Sequence, residues 1–148
     1  MLRSVLGVII GYIVMFILNV AAFMTIYTVM GANWSFKTAS YQASTRWTVM
    51  QFAVVLVTAA IAGLICAVIA KGGKAPLALA AVVLVLGCLL ALSATALRPA
   101  DTHEVRTADV PNMEAMSKAR HPVWVVFLGP FIGAVGVVIG GKLRRRAY

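Results

Sequence analysis

The sequence predicts an all-α membrane protein whose four transmembrane helices form an antiparallel bundle, and three observations carry that expectation. Four long apolar runs contain no charged residue. Across the 148 residues, 62% are hydrophobic and only 11% charged, where a soluble domain has about 25% charged. The charges that exist sit in segments flanking the apolar runs. A soluble fold of this size has too little interior to hide so much apolar surface. The net charge of +9 therefore reads as orientation and lipid contact rather than as a nucleic-acid surface.

The runs cover residues 5–30, 49–70, 76–97 and 123–141, and the helices they imply span about 4–30, 48–70, 76–97 and 123–141. Each meets the roughly 20 residues needed to cross a hydrocarbon core at about 1.5 Å per residue. In that core every backbone amide needs an internal partner, which makes the runs helices. Continuous rather than alternating apolar residues exclude a β-barrel. The expected organisation is one domain, 1–148, with outer loops at 31–47 and 98–122.

The first run admits a second reading as a cleaved signal peptide. Arg3 supplies a positive start and Val20, Ala21 and Ala22 the small residues of a cleavage site. The apolar stretch continues through Phe23, Ile26, Tyr27 and Met30, so an uncleaved helix is the preferred reading.

Basic residues set the expected orientation. Arg3, Lys71, Lys74, Lys142, Arg144, Arg145 and Arg146 fall on one side, in short segments without an acidic residue. Lys37, Arg46, Arg98, Arg106, Lys118 and Arg120 fall on the other, diluted over two long loops that also hold Asp101, Glu104, Asp109 and Glu114. Both termini are thus expected in the cytoplasm, in a plasma membrane and most simply a bacterial inner membrane. Trp34, Phe36, Tyr41, Trp47 and Trp124 gather at the outer ends, where amphipathic rings favour the interface. The run Lys142, Arg144, Arg145 and Arg146 reads first as a stop-transfer signal and second as a contact for anionic headgroups.

Helices in lipid associate through close approach of small residues. Gly129, Gly133, Gly136 and Gly140 fall in one stripe of helix four. Ala59, Ala62, Gly63, Cys66 and Ala70 make a comparable face on helix two, and Ala80, Gly87, Ala91 and Ala94 one on helix three. Gly7 and Gly11 begin one on helix one. Intramolecular packing is the first reading of these stripes and self-association the second. Lys71-Gly72-Gly73-Lys74 is short enough to make helices two and three a hairpin. Pro76 suits a first helical turn, and Pro99 closes the third helix after Arg98. Pro130 lies inside helix four, frees the carbonyl of Val126 and is expected to kink it. The two halves, each a helix, an outer loop and a helix, also show a faint repeat: Arg46 with Trp47, and Arg120 with Trp124.

Chemistry is hard to find. None of the runs contains Asp, Glu, His, Lys or Arg, the residues that intramembrane catalysis or ion coupling generally needs. Asn19 is the most polar mid-membrane residue, with Tyr12 on the same helical face. Asn19 is expected to hydrogen-bond across the bundle, or alternatively to line a polar pathway. Thr58 and Ser93 lie deep, and Thr25, Thr28, Gln51 and Thr95 nearer the outer ends. Cys66 and Cys88 should differ in depth by more than about 10 Å, too far for a disulfide. His103 and His121, with Asp101 and Glu104, have no established metal-ligand spacing. Residues 112–120 read as a short helix, with Glu114 and Lys118 four apart and Met113 and Met116 on one face. Asn33-Trp34-Ser35 matches a glycosylation acceptor close to the membrane.

The layout resembles that of many small four-helix bacterial membrane proteins. It matches small multidrug transporters in length and helix count but lacks their membrane-embedded glutamate in helix one; Asn19 is nearest in depth. The expectation is a non-enzymatic structural or accessory protein that uses no cofactor and packs against other membrane proteins. The alternative is a small homo-oligomeric channel or carrier using Asn19, Tyr12 and Pro130, and a third reading is an enzyme with chemistry at His103 and His121.

Overall fold

In the computed structural model residues 2–37, 42–71, 74–96 and 122–146 are described, without the side chains of Ala32, Asn33, Arg145 and Arg146. Within them the chain forms four helices, α1 (Leu2–Ser35), α2 (Thr45–Ile69), α3 (Ala75–Ala96) and α4 (Val123–Arg146). All four are long and apolar enough to cross a membrane, which makes this a multi-pass membrane protein by length and composition. Arg98, Pro99, His103, His121 and the 112–120 segment lie outside the described residues, as do Tyr41, Gly72 and Gly73.

The helix bounds differ from expectation by three residues or more at three ends, each for a local reason. α1 runs past residue 30 to Ser35, but its regular geometry stops at Gly31 (φ 73°, ψ 173°), and the last residues form a separate turn. α2 begins three residues early because Ser44 caps it, its hydroxyl accepting from the Trp47 amide at 3.1 Å. α4 extends beyond residue 141 through Arg144 to Arg146, since basic side chains suit the last turn of a helix. Helix α1 up to Gly31 is 30 residues, about 45 Å at the standard rise. It outreaches a hydrocarbon core of roughly 30 Å.

The first loop is shorter than the 31–47 span predicted, because its two ends are clasped. Phe36 and Ala43 form an isolated bridge. The Lys37 amide donates to the Gln42 carbonyl and the Ser44 amide to the Ser35 carbonyl, both at 2.9 Å. The Ser44 hydroxyl also donates to the Trp34 carbonyl. An aromatic cluster fills the space beneath. Trp47 lies 6.1 Å from Phe23, 5.9 Å from Tyr27 and 6.3 Å from Trp34, and Tyr27 meets Phe36 edge-on at 6.3 Å. Such offset and edge contacts are the favoured aromatic geometries.

Helices α2 and α4 make the broadest contact, α1 packs on α2, and α3 packs on α4. Helices α2 and α3 are joined by the tightest turn yet touch only lightly, so the connected pair is not a packed pair. Lys71 sits in that turn with φ 52°. Backbones of α1 and α4 do not meet. The Met15 side chain spans the gap, its methyl 3.4 Å from where a Cβ on Gly133 would stand. The buried core joins Ala59 and Cys66 of α2, Ala75, Leu79, Ala80 and Val83 of α3, and Val137 of α4.

Candidate functional site: the polar and glycine-lined interior

The closest helix contacts occur where side chains vanish. A Cβ on Gly140 would collide with the Ala60 carbonyl, and one on Gly63 with the Val137 carbonyl. At Gly136 it would meet the Leu56 carbonyl at 2.7 Å and Ala59 at 2.8 Å. These approaches place backbone against backbone, the arrangement that gains most dispersion contact in a lipid solvent. Gly133 turns instead to Val83 and Met15. A Cβ on Gly129 would have no neighbour within 4 Å among the described residues, so the stripe of four contains three packing positions and one open one. On α3, Ala80 and Ala91 are buried and Gly87 half-buried, but Ala94 is exposed, which corrects its place on the packed face.

Pro130 lies within a helix that continues on both sides of it. Its ring fills the notch at Gly87, with Cγ 2.6 Å from the position a Cβ would take. Pro76 fills a similar notch at Gly141. Both prolines thus seat against glycines on a neighbouring helix, pairings that separate stripes in a sequence do not disclose.

Asn19 stands where α1 crosses α2. Its Nδ2 donates to the Met15 carbonyl and to Thr58 Oγ1, each at 2.9 Å. Thr58 Oγ1 in turn donates to the Val54 carbonyl at 2.8 Å. The amide orientation follows from chemistry, since a carbonyl only accepts and must face the NH2 group. That leaves Asn19 Oδ1 buried without a partner. Two turns from Thr58 on the same face of α2, Gln51 Oε1 is also buried and unpartnered among the described residues. Tyr12 is half-buried against the core cluster. Thr25, Thr28, Ser93 and Thr95 return their hydroxyls to carbonyls of their own helices, so none of them crosses the bundle.

Cys66 is buried and Cys88 half-buried, and both thiols are free. Among the described residues no three His, Cys, Asp or Glu side chains gather to hold a metal. Ser35 is fully buried and its hydroxyl donates to the Gly31 carbonyl, which leaves the glycosylation triplet without an accessible third residue. Lys142 is exposed, whereas Arg144 is half-buried with Nη1 shielded and unpartnered. Outside the bundle, an open apolar groove of about 470 Å³ runs between α2 and α4, lined by Phe52, Leu56, Leu128, Phe131 and Val135 among others. Phe52 and Trp124 meet at 6.3 Å.

Comparison of the chain with protein-family models, with curated proteins and with solved structures found no match.

Proposed function

We propose that this chain is a non-enzymatic accessory protein of a plasma membrane. In this reading it is an antiparallel four-helix bundle with both termini cytoplasmic, binding other membrane proteins through the open face of α1. The observation that carries the reading is a ridge of large apolar side chains on that helix. Leu2, Leu6, Ile9, Ile13, Phe16 and Val20 are all exposed, and their spacing alternates between four and three residues. That spacing is the seam of knobs-into-holes helix pairing. Gly7 packs on α2 and Gly11 on α2 and Leu79 of α3, so a partner would meet the large ridge instead. The placement of Lys71, Lys74 and the α4 run favours the cytoplasm for that end.

The test is site-specific photocrosslinking in native membranes from Phe16, with Leu89 of α3 as an exposed control. A discrete adduct with an unrelated membrane protein from Phe16 alone is the expected result. Lipid adducts alone from both positions would overturn the reading. A reporter enzyme active only outside the cytoplasm, fused after Tyr148, should be silent.

The channel or carrier reading keeps one observation in its favour. Asn19 Oδ1 and Gln51 Oε1 are buried acceptors that water or a polar solute would satisfy. A crosslinked homo-oligomer from Phe16, with solute flux in liposomes, would replace the accessory reading with this one.

A further inference from the structure

We propose that the basic end of the bundle holds the phosphodiester headgroup of an anionic phospholipid, with the Arg144 guanidinium as its anchor. The placement rests on two contacts. Gly7 of α1 lies against Ala70 of α2, and Gly141 of α4 against Pro76 of α3. Together they gather Arg3, Lys71, Lys74, Lys142 and Arg144 at one end of the molecule.

Four of those five side chains are exposed, as solvated surface charges normally are. Arg144 is different. It is half-buried, and its Nη1 is shielded from solvent and has no hydrogen-bond partner among the described residues. A guanidinium stays charged and presents five N–H donors, so a nitrogen of it that is shielded from water and unpaired is unfavourable. The described chain offers it no carboxylate, because all four acidic residues fall at positions 101–114. Among the described residues no acceptor reaches it, and a lipid phosphodiester at this end of the bundle would supply one.

The fork of an arginine fits two oxygens of a phosphate through parallel N–H bonds, which a lysine cannot reproduce. The helix continues about one turn past residue 141, where its apolar run stops, and so carries that fork to the headgroup layer. There phosphodiesters are the most abundant anions. The exposed lysines add attraction without geometry, each acting as a point charge near the surface. This site differs from the diffuse stop-transfer role of a basic run because one residue, rather than the sum of charges, decides it. It holds whichever side of the membrane this end faces and does not depend on the accessory reading.

The test is native mass spectrometry of the full-length protein released from nanodiscs containing phosphatidylglycerol and phosphatidylcholine in equal amounts. Wild type should retain one phosphatidylglycerol in preference to phosphatidylcholine. Arg144→Gln should reduce that preference by about tenfold, the expected weight of one charge-assisted hydrogen bond. Lys142→Gln, an exposed charge on the same turn, should change it by less than about threefold. Arg144→Lys keeps the charge and the helix end, and should fall between wild type and Arg144→Gln. It decides the matter if the glutamine variant does not fold. Equal losses from Lys142→Gln and Arg144→Gln would overturn the proposal, as would an undiminished preference in Arg144→Lys or retention of both lipids alike. Displacement of the retained lipid by millimolar inorganic phosphate would assign the site to a soluble anion and overturn it too.

Discussion

Asn19 donates its amide to the hydroxyl of Thr58 at 2.9 Å, and this is a hydrogen bond between side chains of two different membrane-crossing helices. The bond is unequal in its dependence on the two partners. Thr58 also has its own helix carbonyl at Val54, so it stays satisfied without Asn19. Asn19 has only Met15 as a second acceptor for its NH2 group, and among the described residues no donor reaches its Oδ1.

Replacement of the two residues should therefore be asymmetric. Asn19→Leu removes a bond worth about 1 kcal/mol in membrane helices, and also removes an unsatisfied oxygen, so the net loss should be under about 1 kcal/mol. Thr58→Val strands an N–H in the interior and should cost about 1–2 kcal/mol. The double variant should be no less stable than Thr58→Val alone. Reversible unfolding in mixed micelles checks all three. A larger loss for Asn19→Leu than for Thr58→Val would show that the carboxamide oxygen has a partner, such as a bound water.

The four glycines of the α4 stripe should respond to alanine in two groups. Gly140→Ala drives a methyl into the Ala60 carbonyl, a rigid backbone group, and should destabilise by about 1–3 kcal/mol or more. Gly129→Ala enters open space and should lie within about 1 kcal/mol of wild type, on the stabilising side if helix propensity counts. Thermal unfolding of the two variants in one detergent is sufficient. Equal responses would mean that the stripe packs as a single surface.

That contrast also marks how far the sequence could be read. The spans were legible because a charge-free run of some 20 residues has no other stable state in lipid. Asn19 stood out because a carboxamide in hydrocarbon requires a partner, and Thr58 was the deep hydroxyl on the next helix. Periodicity alone could not separate Gly129 from Gly140, since four positions in one stripe differ only by what the opposite helix places there. For the same reason Arg144 was indistinguishable from its basic neighbours. The short turn at Lys71 predicts a hairpin of α2 and α3, but loop length constrains only the ends of two helices and not how closely their faces pack. Small residues on α2 and α4 decided which faces closed.

Gly31 is the first residue of the outer loop expected at 31–47. Its backbone, at φ 73° and ψ 173°, lies in a region that only glycine occupies comfortably. Gly31→Ala should therefore cost about 1–3 kcal/mol although no atom lies within 4 Å of the new methyl. The strain would be relieved by shifting the Ser35–Ser44 clasp and the rings around Trp47, so tryptophan emission should move with stability. Unchanged emission and stability would mean that the chain adopts another path at this residue.

The pairing of Pro130 with Gly87 separates two ideas about the proline. If Pro130 is a packing wedge, Gly87→Ala should destabilise by about 1–3 kcal/mol because its methyl meets the pyrrolidine ring. Pro130→Ala should lose ring contacts but regain a backbone donor to Val126, leaving a smaller net change. Combining the two should recover much of the Gly87→Ala loss, since the new methyl on α3 then fills the space the ring has left. Neighbours in contact couple in this way, whereas independent sites add. If Pro130 served instead as a hinge, its effect would appear in α4 itself and would be indifferent to residue 87. Additive losses in the double variant would then favour the hinge, and with it the channel or carrier reading.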